Sequence, residues 1–575
     1  MAYDLLIRNG RVVDGSGSPA FRGDIGVRNG KIVEIGRLRG AATRTIDADG
    51  LVVAPGFIDN HCHYDAQVTW DPICSFSCYH GATTVIISNC SLALAPVRPG
   101  AEERLAEFLS YVEAIPMDVL RTVDVTWETI AEYMAALDRR LGVNVGNLIG
   151  HTAVRHYVMG NESQGRAASP TEIEAMCGIV REGITAGALG LSLSRQKGHY
   201  DPQGVQIPAI WAEENELFAL ADVLAELGTG VIQCGGGRVA EQQNRLMTRL
   251  AEATGRQVVY NALAPQIRQP EAYKEQMARI DEAVRAGIRA NPLCTPAYNT
   301  LRFTMRNSQV FRGVPTWHPI LIAPDDEKLR AYRDPEVRKK LHKEVVEWTI
   351  GTSGTASIPG NPRLGPKWYD SIWIDNAVLQ KNKNLQGRSL TELAEIQGKG
   401  IIDAFLDLVV EENLDTVFLQ GASNADSKIM AKILNYPNAI IGLSDGGAHV
   451  QYQSAYSYST QLLGYWVRER GIMSLEHAVK RLTFDSASAF GIYDRGLLRP
   501  GLAGDITIFD PGTVNTLPED KVHDFPAGSW RLRELAVGVC YTIVNGQVLT
   551  EEGRHTGALP GRVLRNTLYH ESAIR

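Results

Sequence analysis

The chain has 575 residues, 44% of them hydrophobic, and a formal charge of −7, which is enough apolar sequence for a large core and two domains. With so mild a charge and no long Lys/Arg block, neither nucleic acid nor an anionic membrane is an expected partner, and no apolar run reaches membrane-spanning length. Eight cysteines without paired metal-finger spacing (Cys74 and Cys78 are a lone pair) and a start without a secretory signal predict free thiols in a reducing cytoplasm.

The first fifty residues predict short strands and turns. Residues 5–13 form one expected hairpin turning at Asn9-Gly10, and 24–36 repeat the pattern around Asn29-Gly30. The far end matches, with a strand at 505–510 and a hairpin turning at Asn545-Gly546. Neither end is large enough to stand alone, so both are expected to complete one β-sandwich.

Between them apolar strands alternate with amphipathic helices. Strands are predicted at 57–63, 84–90, 143–151, 188–195, 230–234, 258–263, 288–293 and 440–445. Eight is the number that a (β/α)₈ barrel requires. Ser169-Pro170-Thr171-Glu172 is a capping box opening a helix towards Gly183, and Leu217, Leu220, Leu224 and Leu227 recur at helical spacing before Gly228. A charged stretch, 325–343, and Gly/Ser/Pro-rich 351–360 break the rhythm, predicting an insertion at about 300–385 over the barrel mouth. The expected division is 1–54 and 491–575 for the two parts of the sandwich and 55–490 for the barrel.

Chemistry in such barrels sits at the C-terminal strand ends. His61 and His63 leave the first strand on one side, converging as half of a metal site. The later strand ends supply Cys90, His151, Arg195 with His199 beyond it, Cys234, Asn261 and Asp445, the last followed by His449. Asp445 is read as a ligand and as the base that takes a proton from an activated water. Cys90 is either a third or bridging thiolate ligand or a small buried hydrophobe. His151 is assigned to catalysis and substrate binding, as a hydrogen-bond donor to the substrate or to a ligand, Arg195 to clamping an anion or carbonyl, His199 to substrate binding or a role as ligand or acid, and His449 to substrate binding at the mouth. Tyr64 and Asp65 are expected to orient the histidines.

These motifs resemble the amidohydrolase superfamily, specifically its D-aminoacylase and N-acyl-D-amino-acid deacylase branch. The similarity runs from Ala54-Pro55-Gly56-Phe57-Ile58-Asp59 with His61 and His63, through Gly81-Ala82-Thr83-Thr84-Val85 and Asn89-Cys90, to Gly150-His151, Ala186-Gly187-Ala188-Leu189-Gly190-Leu191-Ser192, Ser444-Asp445-Gly446 and Gly557-Ala558-Leu559-Pro560-Gly561-Arg562. It implies a metal-binding role for Cys90, and metal-binding histidines at the ends of strands five and six. Here those strands end in Gln233-Cys234 and Tyr260-Asn261. The branch also carries an Arg after the aspartate that grips the substrate carboxylate, and none stands between His449 and Tyr465. The chain is similar to a longer subgroup with His-x-His-Tyr-Asp at the first strand and Ser-Arg-x-x-x-His at the fourth.

The expected activity is metal-dependent hydrolysis of an amide-type C–N bond in a small molecule, an N-acyl amino acid or related amide. One tightly bound Zn²⁺ or similar divalent ion would rest on His61, His63, Cys90 and Asp445, with Asp445 as general base. Lactonase, cyclic-amide hydrolase and deaminase activities are the alternatives within the superfamily, and a non-catalytic binding protein on a decayed barrel is the alternative outside it. The expected partner is the small-molecule substrate, and a homo-oligomer is the default assembly.

Overall fold

Eight short parallel strands, Phe57–Asp59, Ala82–Ile87, Asn144–Gly150, Gly190–Ser194, Val231–Gly235, Val258–Tyr260, Ala290–Cys294 and Ile440–Ile441, pair in that order in the computed structural model. The structure describes residues 2–569 apart from 237–240, 267–269, 299, 307, 309, 312–313, 348–366 and 422–425. A parallel bridge between Cys62 and Gly446, with His63 N donating to Gly446 O at 2.7 Å, joins the last strand to the first and closes the (β/α)₈ barrel. Each predicted apolar segment supplies one strand, because a parallel strand buried on both faces reads as a continuous apolar run. One cluster draws Ile58, Ile86, Leu148, Leu189, Val231, Val259, Leu293 and Ile440 from the eight strands and their flanks. The helices match their signals. Ser169 closes a capping box with Glu172 at the head of Pro170–Thr185, and Leu217, Leu220 and Leu224 are the buried face of Glu214–Glu226.

Both chain ends build the second sheet. Val52–Pro55 lies between Tyr3–Val12, to which it is parallel, and Ile506–Phe509, to which it is antiparallel. Asn29-Gly30 and Asn545-Gly546 form the expected hairpin turns, all four residues at positive φ. Asn9-Gly10 does not. Tyr3–Val12 is one continuous strand, and the positive φ of Asn9 (62°) serves a bulge between Ile7 and Gly10. Residues on both sides of the bulge pair with the same partner strand, Phe21–Arg28, which rules out a turn there.

Asp505 ties this sheet to the barrel. Its Oδ1 accepts from Asn545 N at 2.7 Å and its Oδ2 from Asn144 Nδ2 at 2.9 Å, while Oδ2 also pairs with the buried Arg495 guanidinium. Replacing Asp505 by Ala leaves the Arg495 guanidinium with Asp494 as its remaining carboxylate partner and orphans Asn545 N, so about 1–3 kcal/mol of stability is expected to be lost, and less for Asp505→Asn. A urea midpoint unchanged in Asp505→Ala would show that the tie contributes nothing.

Between Cys294 and Ile440 the chain makes a further unit. Leu301–Phe303 and Ile372–Asn376 flank Val417–Gln420 in an antiparallel sheet, with helices including Asp325–Arg333, Pro335–His342, Leu390–Gln397 and Ile401–Glu411. Its core is aromatic, with Phe311, Trp317, Trp368, Phe405 and Phe418, and it takes in Ala114 and Tyr452 from the barrel mouth. The Gly/Ser/Pro-rich 351–360 stretch lies outside the described residues. Among the described residues no helix is long and apolar enough to cross a membrane.

Candidate metal centre

His61 and His63 lie just beyond the first barrel strand, held by the barrel's closure. His63 N donates to Gly446 O, and Asp445 N donates to His61 O at 3.1 Å. Both imidazoles are fully buried, and burial pushes the pKa of His61 down to about 3 and that of His63 well below its usual value. They are neutral rings in a dry cleft, the form in which histidine binds metal. Their rings meet edge to face at 5.4 Å.

Cys90 completes the cluster. The ligand atoms of His61, His63 and Cys90 all lie within 4.8 Å of one another, with His61 Nε2 3.4 Å from Cys90 Sγ. Asp445 Oδ1 stands 3.5 Å from His61 Nε2 and 4.0 Å from His63 Nε2. The 3.4 and 3.5 Å spacings around His61 match donors of one zinc-like ion, whose bonds of about 2.0–2.3 Å set neighbouring donors about 3.3–3.8 Å apart, and His63 lies slightly wider.

The turns that deliver these groups are strained. Ser88, Cys90, Ser91, Leu443, Asp445 and His449 all hold positive φ, an arrangement that non-glycine residues adopt only where the surroundings enforce it. Some of that enforcement is visible. Ser444 Oγ donates to Asp59 Oδ2 at 2.7 Å. Gly447, at φ +86°, packs so close to the first strand that a Cβ there would lie 2.6 Å from His63 O.

The amides at the ends of strands five and six turn out to support Cys90. Gln233 Oε1 accepts from Cys90 N at 3.1 Å and from Ser192 Oγ at 2.8 Å, and Gln233 Nε2 donates to Asn261 Oδ1 at 3.3 Å. Asn261 Nδ2 in turn lies 3.7 Å from Cys90 Sγ, as a donor, and 3.4 Å from His61 Nε2. Cys234 is buried, with its thiol pushed up to about 12 chiefly by burial. Tyr260 is buried as well, and burial raises its phenol.

The first loop works differently from the sequence expectation. Asp65 does not reach the histidines. Its carboxylate accepts from Ser88 Oγ at 2.6 Å and from Ser88 N, fixing the turn that carries Cys90, while Tyr64 OH bonds Ser77 Oγ at 2.7 Å. Both side chains are engaged by serines of neighbouring turns, and Nδ1 of each histidine has no hydrogen-bond partner among the described residues.

His151 opens a helix directly after the third strand, and its Nε2 lies 2.7 Å from Glu216 Oε1, while Glu216 Oε2 pairs with Arg155. Only Nδ1 is left for a substrate. Arg195 extends from the fourth strand, with Nη1 donating to Ala212 O at 2.9 Å. His199 is close enough to His63 to depress its pKa, and its own falls to about 4 through burial. His449 also faces the centre, through a residue that the sequence did not single out. Glu113 Oε2 lies 3.6 Å from His449 Nε2 and 3.7 Å from His63 Nε2.

Comparison with known proteins identifies the family. The profile of the Amidohydrolase family matches residues 44–306 and 389–550. D-aminoacylase of Alcaligenes xylosoxydans xylosoxydans is 27% identical over 98% of both chains. The crystal structure of N-acyl-D-glutamate deacylase from Bordetella bronchiseptica, complexed with zinc and a phosphonate mimic of the tetrahedral intermediate, is 25% identical, with a TM-score of 0.64 over 98% of this chain and 100% of its own. A solved D-aminoacylase with a binuclear metal centre shares the fold at 24% identity and a TM-score of 0.67, covering 98% of this chain and 100% of its own.

Proposed function

The chain belongs to the amidohydrolase family, in its D-aminoacylase-like branch, and from that premise we propose that it hydrolyses the amide bond of a small N-acyl compound with the help of one tightly bound divalent ion. The observation that carries the reading is the convergence of His61, His63 and Cys90 within 4.8 Å, with Asp445 at their edge. Two neutral imidazoles, a sulfur and a carboxylate are a donor set suited to zinc. When bound, such an ion supplies Lewis acidity, polarising the substrate carbonyl and making water acidic enough to lose a proton near neutral pH.

The chain's own groups do the rest. Asp445 Oδ1, held by the Ser444–Asp59 contact, accepts the proton of the attacking water and passes it to the departing nitrogen. The Gln233–Asn261 pair fixes Cys90 on the metal side, so its sulfur need not act as a nucleophile. His151, braced by Glu216, offers Nδ1 to the substrate, and His199 and His449 line the approach.

The preferred substrate is expected to be a neutral amide. The mouth carries two carboxylates, Glu113 and Asp445, and lacks an Arg after Asp445. A substrate carboxylate would meet repulsion there, and the cation Arg195 reaches it only from the fourth-strand wall rather than from beside Asp445. A panel of N-acetyl-D-amino acids, neutral and cyclic amides, aryl amides and lactones tests this, and is expected to give the highest kcat/KM on a neutral amide, abolished by chelation. Efficient deacylation of ordinary N-acetyl-D-amino acids with nothing better among neutral amides would refute the specificity. Chelator-insensitive turnover would refute the metal. A reducing cytoplasm suits this site, because all eight cysteines are free thiols and Cys90 must stay reduced. A homo-oligomer stays part of the proposal.

A further inference from the structure

Glu113 is the last residue of the Glu102–Glu113 helix, where the partial negative charge of the helix end disfavours an anion. Its side chain is 4% exposed. Among the described residues its carboxylate takes no hydrogen bond, and its near contacts are two imidazole edges, at 3.7 and 3.6 Å. A dry carboxylate without a donor or counter-charge is strongly unfavourable, so the position asks for a cation.

The spacing says where that cation sits. Distances of 3.6 and 3.7 Å are too long for hydrogen bonds, yet they match the separation of donors around a common ion. The donor atoms form a row, Cys90, His61, Asp445, His63, Glu113, His449, with successive neighbours 3.4, 3.5, 4.0, 3.7 and 3.6 Å apart. The segments bearing the last two are locked together, since His449 N donates to Glu113 O, and Ala114 and Tyr452 are held in the core of the inserted unit.

We propose that Glu113 is a ligand of the divalent ion at this centre, a carboxylate delivered by a helix end rather than by a strand, with His449 beside it. This rests on the metal-dependent reading above. If Glu113 ligates beside His63, Asp445 is freed to act as base.

The test is zinc affinity by competition with a chromophoric chelator, together with the visible spectrum of the cobalt-loaded protein, on wild type, Glu113→Gln, Glu113→Asp and His61→Ala. Glu113→Gln is expected to weaken zinc binding by about tenfold or more and to shift the cobalt bands. Glu113→Asp, which keeps the charge, is expected to retain more affinity. The metal-free Glu113→Gln protein is expected to unfold no earlier than metal-free wild type, because a buried charge has been removed, and to gain less Tm on adding zinc. Wild-type affinity and cobalt bands in Glu113→Gln would overturn the proposal. So would a destabilised metal-free variant with unchanged affinity, which marks a structural role. Zinc binding indifferent to His61→Ala would instead sink the metal reading beneath it.

Discussion

Replacing His61 by Ala is expected to remove the bound divalent ion and the turnover together. His61 is fully buried, and its Nε2 is 3.4 Å from Cys90 Sγ and 3.5 Å from Asp445 Oδ1. No neighbour can take its place, because Asn261, at 3.4 Å, turns an amide nitrogen towards the ring, and that nitrogen has no lone pair to give a metal. Losing an outer partner of a ligand typically weakens metal binding by about 10–100-fold, and losing the ligand itself should exceed that. If the ion contributes several kcal/mol to the transition state, turnover falls by about 10³-fold or more. Elemental analysis of the purified variant and single-turnover rates check both halves. Wild-type metal content and rate would refute the assignment.

Asp445→Asn is expected to lower kcat by about 10²–10⁴-fold, the usual share of a positioned base, with a much smaller change in KM. The amide oxygen can still face His61 and His63, but it cannot take a proton from water. The strained backbone at Asp445, φ 51°, suits Asn as well as Asp, so the variant should fold. An active Asp445→Asn enzyme would move the base to His199, or to Nδ1 of His151.

Much of the fold was legible because parallel strands announce themselves. Runs such as Thr84-Val85-Ile86-Ile87 and Val258-Val259-Tyr260 are apolar and β-branched and have few alternatives between amphipathic helices. His61, His63, Cys90 and Asp445 were legible because strand ends are where barrels place chemistry, and the structure brings all four together. The departures Gln233 and Asn261 could be read as losses, but not as the bracket that holds Cys90, since a hydrogen-bond partner across two strands leaves no mark in either segment.

Glu113 and Glu216 were missed for another reason. Both are helix residues, and helical spacing reveals which face is buried but not what lies opposite it. Glu113 did leave one faint signal, an anion at a helix end that favours cations. Asn9-Gly10 misled because a positive φ serves a bulge as readily as a turn, and only the partner strand distinguishes the two.

The seam of the barrel runs between its first strand and an eighth strand only two residues long, Ile440–Ile441. His61 and His63 stand on one lip of that seam and Asp445 on the other, with nearly the whole barrel threaded between them. As the chain leaves the ribosome, the first lip waits through the synthesis of seven further strands for its partner, and a contact that distant in sequence closes slowly. Few backbone bonds cross the join. An ion held by His61 and His63 on one lip and Asp445 on the other would act as a clasp on the completed ring, available only once both lips have met.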